Sequence, residues 1–241
     1  MQSRERRGPT NQVLAIRRFR ELARAMEPVF ASSGFVPAEA PLHGGQASRW
    51  YATDADSTRS VQLWRSRYWG RTSGTFTVPL EVRLPAVDRV LGRDASVLSC
   101  TTGHELGSLV RPGGMVWTLD EHTDVGALAQ ELGALWVSHG LPWLERNRTA
   151  AGACAWLVEV RGHASTAFCL GAGDRPAARA ALRTELLEYH VNKNYIEHLL
   201  AIALRYDLLQ ASDADPIRAA LPQDRDARTA ALDRILDARR E

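Results

Sequence analysis

The chain is poor in the features that usually announce chemistry. Of its 241 residues only three are cysteine, Cys100, Cys154 and Cys169, an odd number at wide spacing with no C-x-x-C. Neither a disulfide framework nor a zinc site is expected from that pattern, and the three read as ordinary reduced thiols. No apolar run approaches the roughly 20 residues that span a bilayer. The start, MQSRERRGPTNQ, is basic but has no apolar stretch behind it, so no secretory leader is expected and the cytoplasm is the expected compartment. Lysine is almost missing: Lys193 is the single one among 30 basic residues, an arginine bias of the kind a GC-rich genome produces.

Catalytic signatures are missing too. There is no G-K-[ST], no H-E-x-x-H and no G-x-S-x-G. Gly171-Ala172-Gly173-Asp174 opens a helix but lacks the G-x-G-x-x-G spacing and the preceding strand of a dinucleotide site. The seven histidines, His43, His104, His122, His139, His163, His190 and His198, are dispersed without metal-ligand spacing. Asp120-Glu121-His122 lies at a helix start, where capping is the expected use. No catalytic residue, cofactor or metal ligand is assigned from the sequence.

What is present is ample material for a core. Hydrophobic residues make up 45% of the chain and the net charge is +2. That charge is uneven, with 15 basic against 9 acidic groups in residues 1–100 and 15 against 19 in the remainder. From Arg49 to Arg83 three segments alternate apolar and polar residues, the period of half-buried strands. Trp50 opens the first, Val61 and Leu63 share a face of the second, and Phe76, Val78, Leu80 and Val82 form an unbroken i, i+2 row in the third. Pro79 has no N–H to donate, which predicts that the third strand lies at an edge or bulges there. Leu106 to Arg111 and Met115 to Leu119 flank Pro112-Gly113-Gly114 and are expected to form a second hairpin, for a sheet of about five strands.

Around the strands the period changes to 3.6. Val13, Ile16, Phe19, Leu22, Met26 and Phe30 predict an amphipathic first helix that ends at Gly34, with Arg17, Arg18, Arg20 and Arg24 off the stripe. A short helix is expected over Val87 to Leu91. Val125, Leu128, Leu132 and Trp136 predict another, capped by Asp120 or Thr123 and ending near Gly140, with Pro142 starting a new one. Beyond Ala150 helices are expected at Ala153–Val160, Ser165–Leu170, Arg175–Tyr189, Asn194–Leu209 and Thr229–Arg240. The segment AFCLGAGDRPAARAALRTEL looks like one helical hairpin of the tetratricopeptide kind, a single unit where a solenoid needs about three. The expected fold is therefore α+β: an antiparallel sheet of about five strands packed by helices, with an all-helical C-terminal extension. Its expected organisation is a disordered tail (1–10), a sheet domain (11–148) and a helical extension packed on it (149–241).

This order of signals resembles a bacterial family known only as domain of unknown function 4304. The residues that carry the resemblance are Phe19, Leu22 and Pro28, then Gly34-Phe35, Val61-Gln62-Leu63-Trp64, Phe76-Thr77-Val78, Leu106-Gly107-x-Leu109, Trp117 and Gly140-Leu141-Pro142-Trp143. The similarity covers about residues 12–190. It implies an α+β fold and brings no activity with it.

The most suggestive cluster is Arg65, Arg67, Trp69 and Arg71, with Trp50 and Trp64 nearby. Arginines among aromatics hold anions or stack on bases; they also lie over buried tryptophans along their aliphatic stems. These four residues are the candidate partner surface. The leading expectation is a non-enzymatic protein-interaction or accessory (immunity-type) factor with another protein as partner. An enzyme or small-ligand binder would instead gather Arg65, Arg67, His104 and Glu105 in one pocket. Nucleic-acid binding, the third possibility, needs one basic stripe from the first helix to Arg71.

Overall fold

A computed structural model describes residues 11–39, 47–65, 74–93 and 100–237, with side chains from residue 16 onward. The expected tail, residues 1–10, lies outside the described residues. The chain divides into two compact units, Met1–Arg83 with Cys100–Glu145, and Leu84–Ser99 with Arg146–Glu241.

The first unit is a sheet covered by helices. Helix α1 (Asn11–Ser32) buries Phe19, Leu22, Met26 and Phe30. Pro28 lies inside it on the exposed side, where the carbonyl it leaves unbonded can turn to water. The helix closes with the N–H of Phe35 on Phe30 O (3.1 Å) and that of Gly34 on Ala31 O (2.9 Å). Gly34 takes φ 82°, the left-handed conformation this closure needs.

Seven strands form one antiparallel sheet among the described residues. They are β1 (Val36–Pro37), β2 (Ala47–Thr53), β3 (Thr58–Arg65), β4 (Gly74–Thr77), β5 (Pro79–Arg83), β6 (Thr102–Glu105) and β7 (Trp117–Leu119). The predicted third strand is both β4 and β5. Trp64↔Thr77 and Val61↔Leu80 keep one register against β3, so the two pieces are one line interrupted at Val78. It is not an edge: its far side pairs with β7 through Phe76↔Trp117 and with β6 through Leu80↔His104. The Val78 carbonyl, at the interruption before Pro79, accepts the N–H of Leu106 (3.0 Å).

The second hairpin does not form. Leu106–Val110 is a short helix, α3, and β7 pairs with β4 instead. Leu106 and Leu109 are three apart, a helical interval, and the run has no alternation to hold it as a strand. A Cβ on Gly107 would sit 2.2 Å from Met115 O, so glycine is what lets the chain recross there. Asp120 and Thr123 do not cap the next helix either. Asp120 accepts from His122 N (2.9 Å) and Thr123 Oγ1 (2.8 Å) in a turn. Asp124 caps α4 (Val125–Leu135) through Gly126 N and Ala127 N. Trp136–Gly140 then runs as a π-helical turn into α5 (Leu141–Arg146), with Leu141 N bonded to Trp136 O. The wider turn precedes Pro142, which cannot donate to a regular ladder.

The sheet's apolar face carries the core. Phe30 stands 4.8 Å from Trp50 and 5.0 Å from Trp136 between ring centroids, and Phe19 meets Phe76 at 6.1 Å. Trp50, Val61, Leu63, Phe76, Val78, Leu80 and Val82 are all buried, as the period-2 row predicts.

The second unit is helical: α2 (Pro85–Leu91), α6 (Ala150–Arg161), α7 (Thr166–Gly171), α8 (Arg175–Glu188), α9 (Lys193–Arg205), α10 (Ala211–Ala220) and α11 (Arg225–Asp237). Thr149, Asp174 and Asn192 cap α6, α8 and α9 with side-chain oxygens. Helix α10 lies outside the helices expected from the sequence and carries Pro216 inside it; at its start the Asp213 carboxylate accepts from Gln210 N (2.8 Å), and Ile217 is buried. Leu182, Leu186, Ile196, Leu199, Leu200 and Leu232 are among the residues that build this unit's core.

Candidate functional site

The predicted partner surface is only partly within view. Arg67, Trp69 and Arg71 lie outside the described residues. Arg65 ends β3 opposite Phe76 and is half-buried; Trp64 is half-buried and Trp50 is core. His104 and Glu105 are neighbours on β6, so pleating sends them to opposite faces of the sheet. Along the line through β4 and β5, the partners of Arg65 and His104, Phe76 and Leu80, are four residues apart, about 13 Å at strand rise. The strands therefore do not gather Arg65, His104 and Glu105 in one place. On α1, Arg17 and Arg18 both bind Glu21, at 3.0 and 3.1 Å, which offsets part of that helix's positive face.

Two features of the first unit stand out instead. One is an apolar groove of about 710 Å³ between α1 and α4. Ala25, Pro28 and Val29 form one wall and Ala129, Gly133, Ala134 and Val137 the other, with Ser32 and Gln130 as the polar members. The helices meet at Gly133, where an added Cβ would lie 3.6 Å from Val29 Cγ1, at ordinary contact distance. Val137 is 61% exposed at the groove's end. An alanine-rich stripe alone reads as helix packing, and only the fold shows that, among the described residues, it lines an open groove.

The other is the polar face of the sheet. Arg49 on β2 reaches across β3 to Glu81 on β5 at 2.7 Å, and Ser60 Oγ donates to the same carboxylate at 3.2 Å. Gln62, opposite Arg49 in register, is fully buried, and neither its Oε1 nor its Nε2 has a hydrogen-bond partner. On the helix-covered face Arg59 is held by Asp54 (3.2 Å) and Glu145 and lies over the Phe35 ring.

In the second unit a cavity of about 670 Å³ is lined by His190, Val191, Lys193, Ile196, Glu197, Arg218, Leu221, Pro222, Gln223 and Arg228. Arg218 is engaged by Glu197 through two bonds, 2.8 and 2.7 Å, and by Asp215. Arg228 is 6% exposed; it donates to Leu221 O and Gln223 O, while its Nε is unpartnered. Elsewhere in this unit the buried Glu185 accepts from Thr166 N (3.0 Å) and Tyr195 OH (2.9 Å), and burial with that carboxylate pushes the Tyr195 phenol well up. Among the described residues no group of three or more His, Cys, Asp or Glu side chains is placed to hold a metal ion, and no helix is long and apolar enough to cross a membrane.

Sequence reading missed one pairing entirely. Cys154 on α6 and Cys169 on α7 bring their sulfurs to 3.1 Å. They lie fifteen positions apart and no short motif marks the pair, so only the packing of the two helices reveals it.

Taken together, an antiparallel sheet with helices on its apolar face and a C-terminal helical stretch define an α+β protein. Residues 42–146 match the family described as Domain of unknown function (DUF4304), which supports the resemblance and locates it on β2 to β7 and α2 to α5. The match is shorter than the 12–190 expected and leaves out α1 and the helices from α6 onward. No curated protein and no solved structure matches the chain.

Proposed function

We propose that the protein is a non-enzymatic interaction factor, a bacterial cytoplasmic accessory (immunity-type) protein that binds another protein by seating one of its apolar helices between α1 and α4. The observation that supports this reading is the groove's lining. Seven of its nine residues are apolar or glycine, and Val137 at its end is 61% exposed. Apolar surface left open on a folded chain is a common mark of partner binding. The small side chains of Ala25, Ala129, Gly133 and Ala134 suit a third helix, which packs at axis separations of about 8–10 Å. The test is capture of partners on the immobilised full chain, after nuclease treatment, in parallel with Val137→Asp. This exposed substitution is expected to change stability by no more than about 0.5 kcal/mol. A stoichiometric protein retained by the parent and lost by Val137→Asp supports the reading; a partner held equally by both, or none by either, overturns it.

A second reading, a small-ligand binder, is favoured by Arg228. A guanidinium buried at the wall of a 670 Å³ cavity, beside Lys193 and the apolar Ile196 and Leu221, suits a small carboxylate or phosphate with an apolar body. Thermal shifts with a panel of such anions test it. A rise in melting temperature that Lys193→Ala abolishes would move this reading to first place.

A further inference from the structure

The structure carries one pairing that neither functional reading uses. Cys154 is partly exposed on α6, and Cys169, 1% exposed, belongs to the helical unit's core. Their sulfurs are 3.1 Å apart. Bond formation at about 2.0 Å needs an approach of only about 1 Å. We infer that Cys154 and Cys169 are a redox-modified pair, with Cys154 the residue that meets the oxidant and Cys169 the residue that resolves it into an intramolecular disulfide.

Exposure assigns these roles: Cys154 is partly exposed, whereas Cys169 is 1% exposed in the core. The hydrogen bond with Cys169 draws the Cys154 thiol below its ordinary range, against burial and helped by the Ser165 backbone, and the thiolate is the nucleophile. Contact with Cys154 and burial push the Cys169 thiol up. Cys100 belongs to the other unit.

The oxidant class is a hydroperoxide. The Cys154 thiolate attacks one peroxide oxygen, the O–O bond breaks, and the departing alkoxide takes a proton to leave as alcohol, or as water from hydrogen peroxide. Cys154 is then a sulfenic acid. Cys169 sulfur attacks the Cys154 sulfur, the S–O bond breaks, and hydroxide leaves with the Cys169 proton as water. The sum is two thiols and one hydroperoxide giving one disulfide, one alcohol and one water, with two electrons passing from sulfur to the peroxide. The bond would clip α6 to α7, and a thiol reductant would reverse it.

The full-length protein is treated with near-stoichiometric hydrogen peroxide, then alkylated without reduction and weighed intact. The expected result is one alkyl group taken up where the untreated protein takes up three, a protein mass two hydrogens lower once the alkyl groups are subtracted, and a cross-linked peptide joining Cys154 to Cys169, all reversed by dithiothreitol. Cys169→Ser is expected to halt at the sulfenic acid, one oxygen heavier and trapped by a 1,3-dione probe, and Cys100→Ser to behave as the parent. Continued alkylation of both cysteines after treatment would overturn the proposal. So would a disulfide that involves Cys100, or Cys169→Ser that forms no sulfenic acid.

Discussion

Replacing Gln62 by methionine should make the protein more stable. Gln62 is fully buried on the polar face of β3, and neither end of its amide has a hydrogen-bond partner. A buried polar group left unmade costs about 1–3 kcal/mol, so even the low end for two groups sums to about 2 kcal/mol. Methionine has nearly the same length but is unbranched, loses a comparable amount of rotamer freedom on burial, and brings no obligatory donor or acceptor. The Arg49–Glu81 pair and its bond from Ser60 are untouched by the change. A gain of about 2 kcal/mol corresponds to roughly 4–8 °C in melting temperature for a chain of this size. Urea denaturation followed by tryptophan fluorescence, with calorimetry alongside, measures it. Destabilisation by more than about 1 kcal/mol would refute the reasoning, because it would mean that the Gln62 amide makes hydrogen bonds in solution worth more than the space it fills.

Three further outcomes follow from the geometry. Gly107→Ala places a Cβ 2.2 Å from Met115 O, and because backbone cannot swing aside the expected loss is about 3 kcal/mol or more by denaturant titration. Gly133→Ala meets Val29 only at ordinary contact distance, so the better helix former should add about 0.5–1 kcal/mol to stability while narrowing the α1–α4 groove and weakening capture of a helical partner. Burial holds the His104 imidazole below its usual 6.5, against the opposing pull of Glu105. The unfolded chain therefore takes up its proton first as pH falls, and stability should drop below about pH 6.5 until the folded form also protonates; unfolding at pH 7 and pH 5 in the parent and in His104→Gln, which removes that slope, checks the sign.

Much of the fold was legible where a period reaches all the way to the core. The row Phe76, Val78, Leu80, Val82 is one buried face, and the stripe Phe19, Leu22, Met26, Phe30 is the inner side of α1. Gly34 ends that helix with the positive φ only glycine adopts freely. Local pattern misled where pairing partners are distant. Pro79 reads as an edge or bulge residue, yet β5 has neighbours on both sides and the register against β3 is unbroken, because an interruption at Val78 lets one line of chain serve β7 and β6 in turn. Leu106 to Arg111 looked like a strand beside a Pro-Gly-Gly turn, but β4 was the partner available to β7.

The candidate sites divide in the same way. Composition, periodicity and missing motifs determined that the chain is α+β, rich enough in apolar residues to bury a core, and without a recognisable catalytic signature. Which helices leave a groove, which amide is buried without a partner, and which two of three cysteines meet were decided by tertiary structure alone. Each depends on residues brought together from separate elements, and spacing along a chain carries no information about distances that only packing creates.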